Sequence, residues 1–122
     1  MKEFTILGKK VSKPMKKLEA FDAPEDVKTV ILTSDEVTSL CPITGQPDWY
    51  SIEIEYQPNR LCLESKSLKL YFWTFREEGH FCEQLSNIIL KDVQKAISPK
   101  TLKVTVEMSP RGGIKIRSIA EI

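Results

Sequence analysis

The sequence predicts an α+β domain, with two helices on one face of an antiparallel four-stranded sheet. Three observations lead there. Apolar and polar residues alternate through Tyr50, Ile52, Ile54 and Tyr56, and again through Leu102, Val104, Val106 and Met108, which is the period of half-buried strands. Between these stretches the apolar residues recur at three- and four-residue steps, from Leu68 to Ile97, the period of helices with one buried face. The breaks fall at Pro58-Asn59, Ser98-Pro99 and Pro110 to Gly113, where short turns favour antiparallel neighbours.

Residues 27–33 are rich in β-branched types and read as a strand, and the polar stretch from there to Leu40 reads as a turn. Pro42, Gly45 and Pro47 then exclude a regular element, so residues 41–48 read as a stiff loop. Residues 50–56 form a strand, and Leu61, Cys62 and Leu63 read as its hairpin partner. A helix begins near Ser67, capped by Ser65 or Ser67, and carries Leu68, Tyr71, Phe72 and Phe75 inward. A second runs from Glu83 through Leu85, Ile88, Ile89, Val93, Ala96 and Ile97, with Lys91, Asp92 and Lys95 on its polar face. The tail closes as a hairpin, with Ile114 and Ile116 on the returning strand. A four-stranded sheet from this chain cannot close on itself, so its open edge calls for a cover or a second copy.

With 122 residues the chain reads as one domain, 1–122, whose residues 1–26 form an N-terminal arm. Hydrophobic residues at 41% and charged residues at 29% allow a packed core and exclude disorder. No apolar run approaches the roughly 18 residues of a membrane span, and the polar start has no signal-peptide core, so the expectation is a cytoplasmic protein without membrane contact. A net charge of +1 asks for no nucleic-acid partner. Lys9, Lys10, Lys13, Lys16 and Lys17 form a basic stretch, read as a solvated arm with a phosphate-contacting arm as the alternative. Cys41, Cys62 and Cys82 include no CxxC pair and lie too far apart for usual zinc spacing, so the expectation is three free thiols and no metal.

Four places carry chemistry, each with a plain alternative. Cys41 in its loop can be an exposed nucleophile with Asp48 in proton-transfer reach, or simply an incidental thiol beside a turn carboxylate. The segment from Glu64 to Tyr71 offers Ser65, Ser67, Lys66, Lys69 and helix amides to a phosphate, or is only a capped helix with solvated lysines. Arg111 beside Gly112 and Gly113 can approach a phosphate closely, or serve a hairpin turn. Glu83 suits the helix dipole, and equally a paired hydrogen bond to a guanine-like ring.

Taken in order, residues 41–48 (CPITGQPD), 64–71 (ESKSLKLY), 81–83 (FCE) and 110–113 (PRGG) resemble the single-domain NADPH-dependent 7-cyano-7-deazaguanine reductases, nitrile reductases of queuosine biosynthesis in tRNA modification. The resemblance implies the tunnelling fold, a ββααββ unit whose copies join sheets into rings, with a decamer of two stacked pentamers. It implies Cys41 as the nucleophile that forms a thioimidate with the nitrile carbon and Asp48 as the proton donor. It places Leu63, Glu64, Ser65, Cys82 and Glu83 at the deazaguanine, and Ser65, Lys66, Arg111 and Gly112 at NADPH, two of which are consumed per nitrile. One position departs from the pattern: Cys82 stands where many members carry histidine. Cysteine cannot act as a cationic donor; Asp48 with water is the favoured proton source, with His80 as the alternative substitute. Two other readings stay open, a tunnelling-fold amidinotransferase that delivers ammonia to the same thioimidate, and a non-catalytic binding subunit with an inert Cys41.

Overall fold

The computed structural model describes residues 15–122. Lys9, Lys10 and Lys13, and with them half of the expected arm, lie outside the described residues. Nine elements follow in order: β1 (Ala20–Asp22), β2 (Val30–Leu40), β3 (Pro47–Gln57), β4 (Leu61–Leu63), α1 (Ser65–Trp73), a 3-10 turn (Thr74–Glu77), α2 (Cys82–Ile97), β5 (Thr101–Arg111) and β6 (Ile114–Glu121). The four long strands form one antiparallel sheet in the order β2-β3-β5-β6, and β1 pairs with β4 in a small second sheet. Among the described residues no helix is long and apolar enough to cross a membrane.

Three expectations are corrected. The polar stretch before Leu40 is strand, because an irregularity between Ser34 and Val37 absorbs Asp35 and Glu36 and lets the pairing with β3 resume through Leu40. The partner of Leu61, Cys62 and Leu63 is β1, with Ala20 opposite Leu63, and not residues 50–56. Both edges of β3 are already taken by β2 and β5, so a third partner has no backbone groups to bond. What ties β4 to β3 is a side chain, the Tyr56 hydroxyl, which accepts the Leu63 N–H at 3.0 Å.

The third correction concerns the α1 cap. Glu64 caps it, its two carboxylate oxygens accepting the N–H groups of Lys66 at 2.8 Å and Ser67 at 2.7 Å. A glutamate can reach two amides at once where a serine reaches one. Ser67 turns inward instead, donating its hydroxyl to the Glu64 carbonyl and accepting the Glu19 N–H.

The core fills the space between sheet and helices. Tyr50, Ile52, Ile54 and Tyr56 of β3 and Leu102, Val104 and Val106 of β5 meet Leu85, Ile89, Val93 and Ile97 of α2. Each such side chain contributes on the order of 1.5–3 kcal/mol by leaving water. Ala20 is fully buried and Leu18, Phe21 and Ala23 pack on the same core, so the end of the expected arm belongs to the domain. Strands β2 and β6 are the two edges of the sheet. Ile31, Trp49 and Ile119 alternate with inward residues and remain half exposed.

Candidate active site

The β2–β3 connection is a tight turn built on its own backbone. The Cys41 N–H donates to the Gln46 carbonyl at 2.7 Å, and the Gly45 N–H returns to the Cys41 carbonyl at 2.8 Å. Gly45 takes a φ of 73°, a left-handed conformation that glycine adopts without strain. The turn aims donors at the sulfur. The Thr44 hydroxyl, the amides of Thr44 and Ile43 and the Arg111 guanidinium favour the thiolate and outweigh the cost of burial, so the Cys41 thiol is pulled down to about 6. Neutral pH therefore leaves it largely ionised while 8% exposed, the state a nucleophile needs.

Asp48 sits at the start of β3 and is only 3% exposed. Its carboxylate accepts Arg111 Nη1 at 2.8 Å from the end of β5. Arg111 leads into the β5–β6 turn, where Gly112 and Gly113 have φ values of 58° and 77°. Arg111 thus reaches both Cys41 and Asp48, and both hold its positive charge more firmly. Beneath them the Tyr50 hydroxyl bonds Ser39 Oγ at 2.9 Å, and burial pushes that phenol up, so it stays neutral.

The amino end of α2 is brought alongside by residues 78–80. Leu40 N–H donates to the Glu78 carbonyl, and the His80 N–H donates to the Leu40 carbonyl. Gly79 lies against Pro42, where an added Cβ would stand 3.4 Å from the Pro42 Cα. His80 precedes the helix, whose N-cap is Phe81, and its ring bonds the Glu78 carboxylate at 2.8 Å. Cys82 faces the sheet, its thiol directed at the Val106 carbonyl at 3.5 Å. Burial and the neighbouring Glu83 carboxylate push that thiol up to about 11. Glu83, in the first turn, is exposed.

The other residues expected at the site are not brought here. Asp48 and Tyr56 are eight positions apart on β3, about 26 Å along the strand. Leu63 hangs from the Tyr56 end, and Glu64, Ser65 and Lys66 follow it. Within one chain, Cys41, Asp48, Cys82, Glu83, Arg111 and Gly112 share one end of the sheet, and Leu63, Glu64, Ser65 and Lys66 the other. A groove of about 830 Å³ runs between β2 and α1. It is lined by Thr38, Leu40, Trp49, Phe72 and Trp73 and includes neither Cys41, Asp48 nor Arg111. Among the described residues no group of three or more His, Cys, Asp and Glu side chains is placed to hold a metal ion.

Sequence reasoning missed Thr44, the largest single influence on the Cys41 thiol. The available signal was a hydroxyl residue three positions after the cysteine in a proline- and glycine-bounded turn.

A protein-family model described as QueF-like protein matches residues 47–122. The chain belongs to that family. Its QueF-like match starts at Pro47, just after the cysteine turn, and relatives extend the likeness across that turn. An NADPH-dependent 7-cyano-7-deazaguanine reductase of Syntrophus aciditrophicus (strain SB) is 46% identical, over 99% of this chain and 87% of the relative. A protein of the same name from Bacteroides thetaiotaomicron is 52% identical over 81% of this chain and 67% of its own length. A crystal structure of the archaeosine synthase QueF-Like in the apo form superposes with a TM-score of 0.75 at 28% identity, covering 80% of this chain and 95% of that one. The α+β tunnelling-type fold implied by the sequence resemblance is thereby borne out.

Proposed function

We propose that the chain reduces the nitrile of 7-cyano-7-deazaguanine to the aminomethyl group at the expense of NADPH, as a cytoplasmic enzyme of queuosine biosynthesis. The observation that carries this reading is a near-buried cysteine whose sulfur is favoured as thiolate by four donors, one of which, Arg111, also bonds the Asp48 carboxylate. Relatives with 42–52% identity bear the name of that reductase.

A nitrile accepts hydride poorly until a nucleophile adds to its carbon and its nitrogen is protonated. The Cys41 thiolate forms the carbon–sulfur bond, one π pair of the nitrile moves to nitrogen, and the Asp48 carboxyl supplies the proton, giving a thioimidate. NADPH, when bound, supplies hydride, twice per nitrile. The available residues suit an anionic cofactor: Arg111 is 41% exposed, Gly112 leaves open space for a phosphate to approach, and Ser65, Lys66 and Lys69 line the start of α1. Glu83 is the exposed carboxylate for the base. Cys82 contributes packing beneath it, since its sulfur faces the Val106 carbonyl.

These residues stand at opposite ends of one chain, which supports a site shared between copies. One copy then supplies Cys41, Asp48, Glu83 and Arg111, and its neighbour Leu63, Glu64, Ser65 and Lys66. The open edges β2 and β6 allow sheets to continue from copy to copy, in the two stacked pentamers that the sequence resemblance implies.

The structural likeness to an archaeosine synthase favours one second reading, attack of ammonia on the same thioimidate. Mixing the protein with the free nitrile base and NADPH separates the two. The reductase oxidises two NADPH per nitrile, and Cys41→Ala oxidises none. Absence of oxidation in the wild type, with ammonia incorporated instead, contradicts the proposal.

A further inference from the structure

Cys41 is the first residue after β2, and the residue before it is held from two sides. On one side Leu40 pairs with Pro47 of β3. On the other, its N–H donates to the Glu78 carbonyl at 2.8 Å and its carbonyl accepts the His80 N–H at 3.2 Å, a parallel bridge centred on Gly79. Gly79 also packs on Pro42, the residue after the cysteine. Residues 78–81, between the 3-10 turn and α2, belong to no helix or strand that could fix them.

Side chains from three segments do so instead. The Glu78 carboxylate accepts Lys16 Nζ at 3.1 and 3.3 Å and lies 2.8 Å from His80 Nε2. Lys16 Nζ stands 3.8 Å from the centroid of the Phe75 ring, which is fully buried, and the His80 ring meets the same phenyl edge-on at 5.8 Å. An ammonium over an aromatic face and against a carboxylate is held by both. Lys16 is itself placed by its neighbour Met15, whose N–H donates to the Leu70 carbonyl. The Lys16 and Glu78 side chains are 44% and 36% exposed, and ion pairs of that exposure add little to global stability, so their effect is local.

We propose that Lys16, Glu78 and His80 form a clasp that positions the cysteine turn, Glu78 being the positioning residue through which the N-terminal segment holds Leu40 and Pro42 in place. Lys16, one of the basic stretch, thereby acquires a role inside the domain. The clasp concerns the placement of Cys41 alone and requires no particular substrate.

Glu78→Lys and Glu78→Gln test it, with the charge swap Lys16→Glu plus Glu78→Lys as rescue. The first readout is the pH midpoint of Cys41 alkylation by iodoacetamide, measured by peptide mass, for which wild type should show a value near 6. A cation gained or an anion lost at residue 78 would by charge alone favour the thiolate and move the midpoint down. Release of the turn moves it up, because the donors held around the sulfur lose their aim. The clasp therefore predicts a rise of roughly half a unit or more in Glu78→Lys, a smaller rise in Glu78→Gln and a return toward wild type in the swap. A midpoint that falls or stays in Glu78→Lys overturns the clasp. Hydrogen exchange is the second readout. The Leu40 and His80 amides, whose bonds join the two segments, should exchange roughly two- to fivefold faster in Glu78→Lys, the loosening expected when an exposed ion pair is lost, while those of Val104 and Val106 in β5 keep their rates. Exchange that is unchanged at Leu40 and His80, or faster throughout the sheet, overturns local positioning. Neither nitrile nor NADPH enters these measurements, so their outcome is separate from that of the reductase reading.

Discussion

Asp48 at 3% exposure and Glu64 at 7% are nearly buried carboxylates at opposite ends of the sheet, and they are satisfied in different ways. Glu64 is held by two amides of the helix it caps, bonds that cannot be released without fraying that helix. Asp48 is held by a side chain from a distant hairpin, 63 residues away in sequence, whose cation is accessible to solvent. A carboxylate satisfied by its own backbone is part of the scaffold. One satisfied by an exposed side chain can be freed, and it lies beside the low-pKa thiol.

The sharpest way to break this contrast is Asp48→Asn. It keeps the shape and removes the proton donor, so thioimidate formation should fall by roughly 10²- to 10⁴-fold, the usual range for losing a general acid. Thermal unfolding of the same variant should change little next to that loss. A near wild-type adduct rate measured by stopped flow would place the proton elsewhere.

Thr44→Val is expected to act more modestly, on the nucleophile alone. The hydroxyl favours the thiolate, so its loss raises the thiol from about 6 toward the ordinary 9. The alkylation midpoint should rise by about one unit, slowing reaction at pH 6 roughly fivefold and leaving pH 10 unaffected. No change in midpoint would show that the backbone amides suffice.

Glu64→Ala is the smallest effect and the converse of the first. The lost cap should cost about 1 kcal/mol of stability, read by urea unfolding, and Cys41 alkylation should keep its midpoint. A shifted midpoint would mean that Glu64 influences Cys41, within one chain or from a neighbouring copy.

Much of this contrast was invisible in the sequence. β3 and β5 were legible because their buried faces impose a strict alternation, and α2 because its apolar stripe is uninterrupted from Leu85 to Ile97. The second half of β2 was not, since its polar residues hide an irregular step that only the pairing with β3 makes sense of. The β1–β4 pairing could not be read because three-residue strands have no measurable period. Of the site, the residue identities of Cys41, Asp48 and Arg111 came from motif resemblance, and the structure brings them together. The cradle of Ile43 and Thr44 amides had no sequence signature, because every residue but proline carries an N–H. The separation of Lys66 from Cys41 was equally hidden, since motif order says nothing about which end of a sheet each motif occupies.

That separation gives the most direct test of the account, which holds that one functional site draws on opposite ends of two copies. Cys41→Ala and Lys66→Ala chains, each inactive or nearly so alone, are co-expressed in equal amounts and assayed for NADPH oxidation with the free nitrile. Random assembly should restore about a quarter of wild-type activity, because a site pairing an intact Cys41 end with an intact Lys66 end arises in about one of four combinations. Mixed assemblies that show no more activity than the single variants would place both residues in a site within one chain and contradict the account.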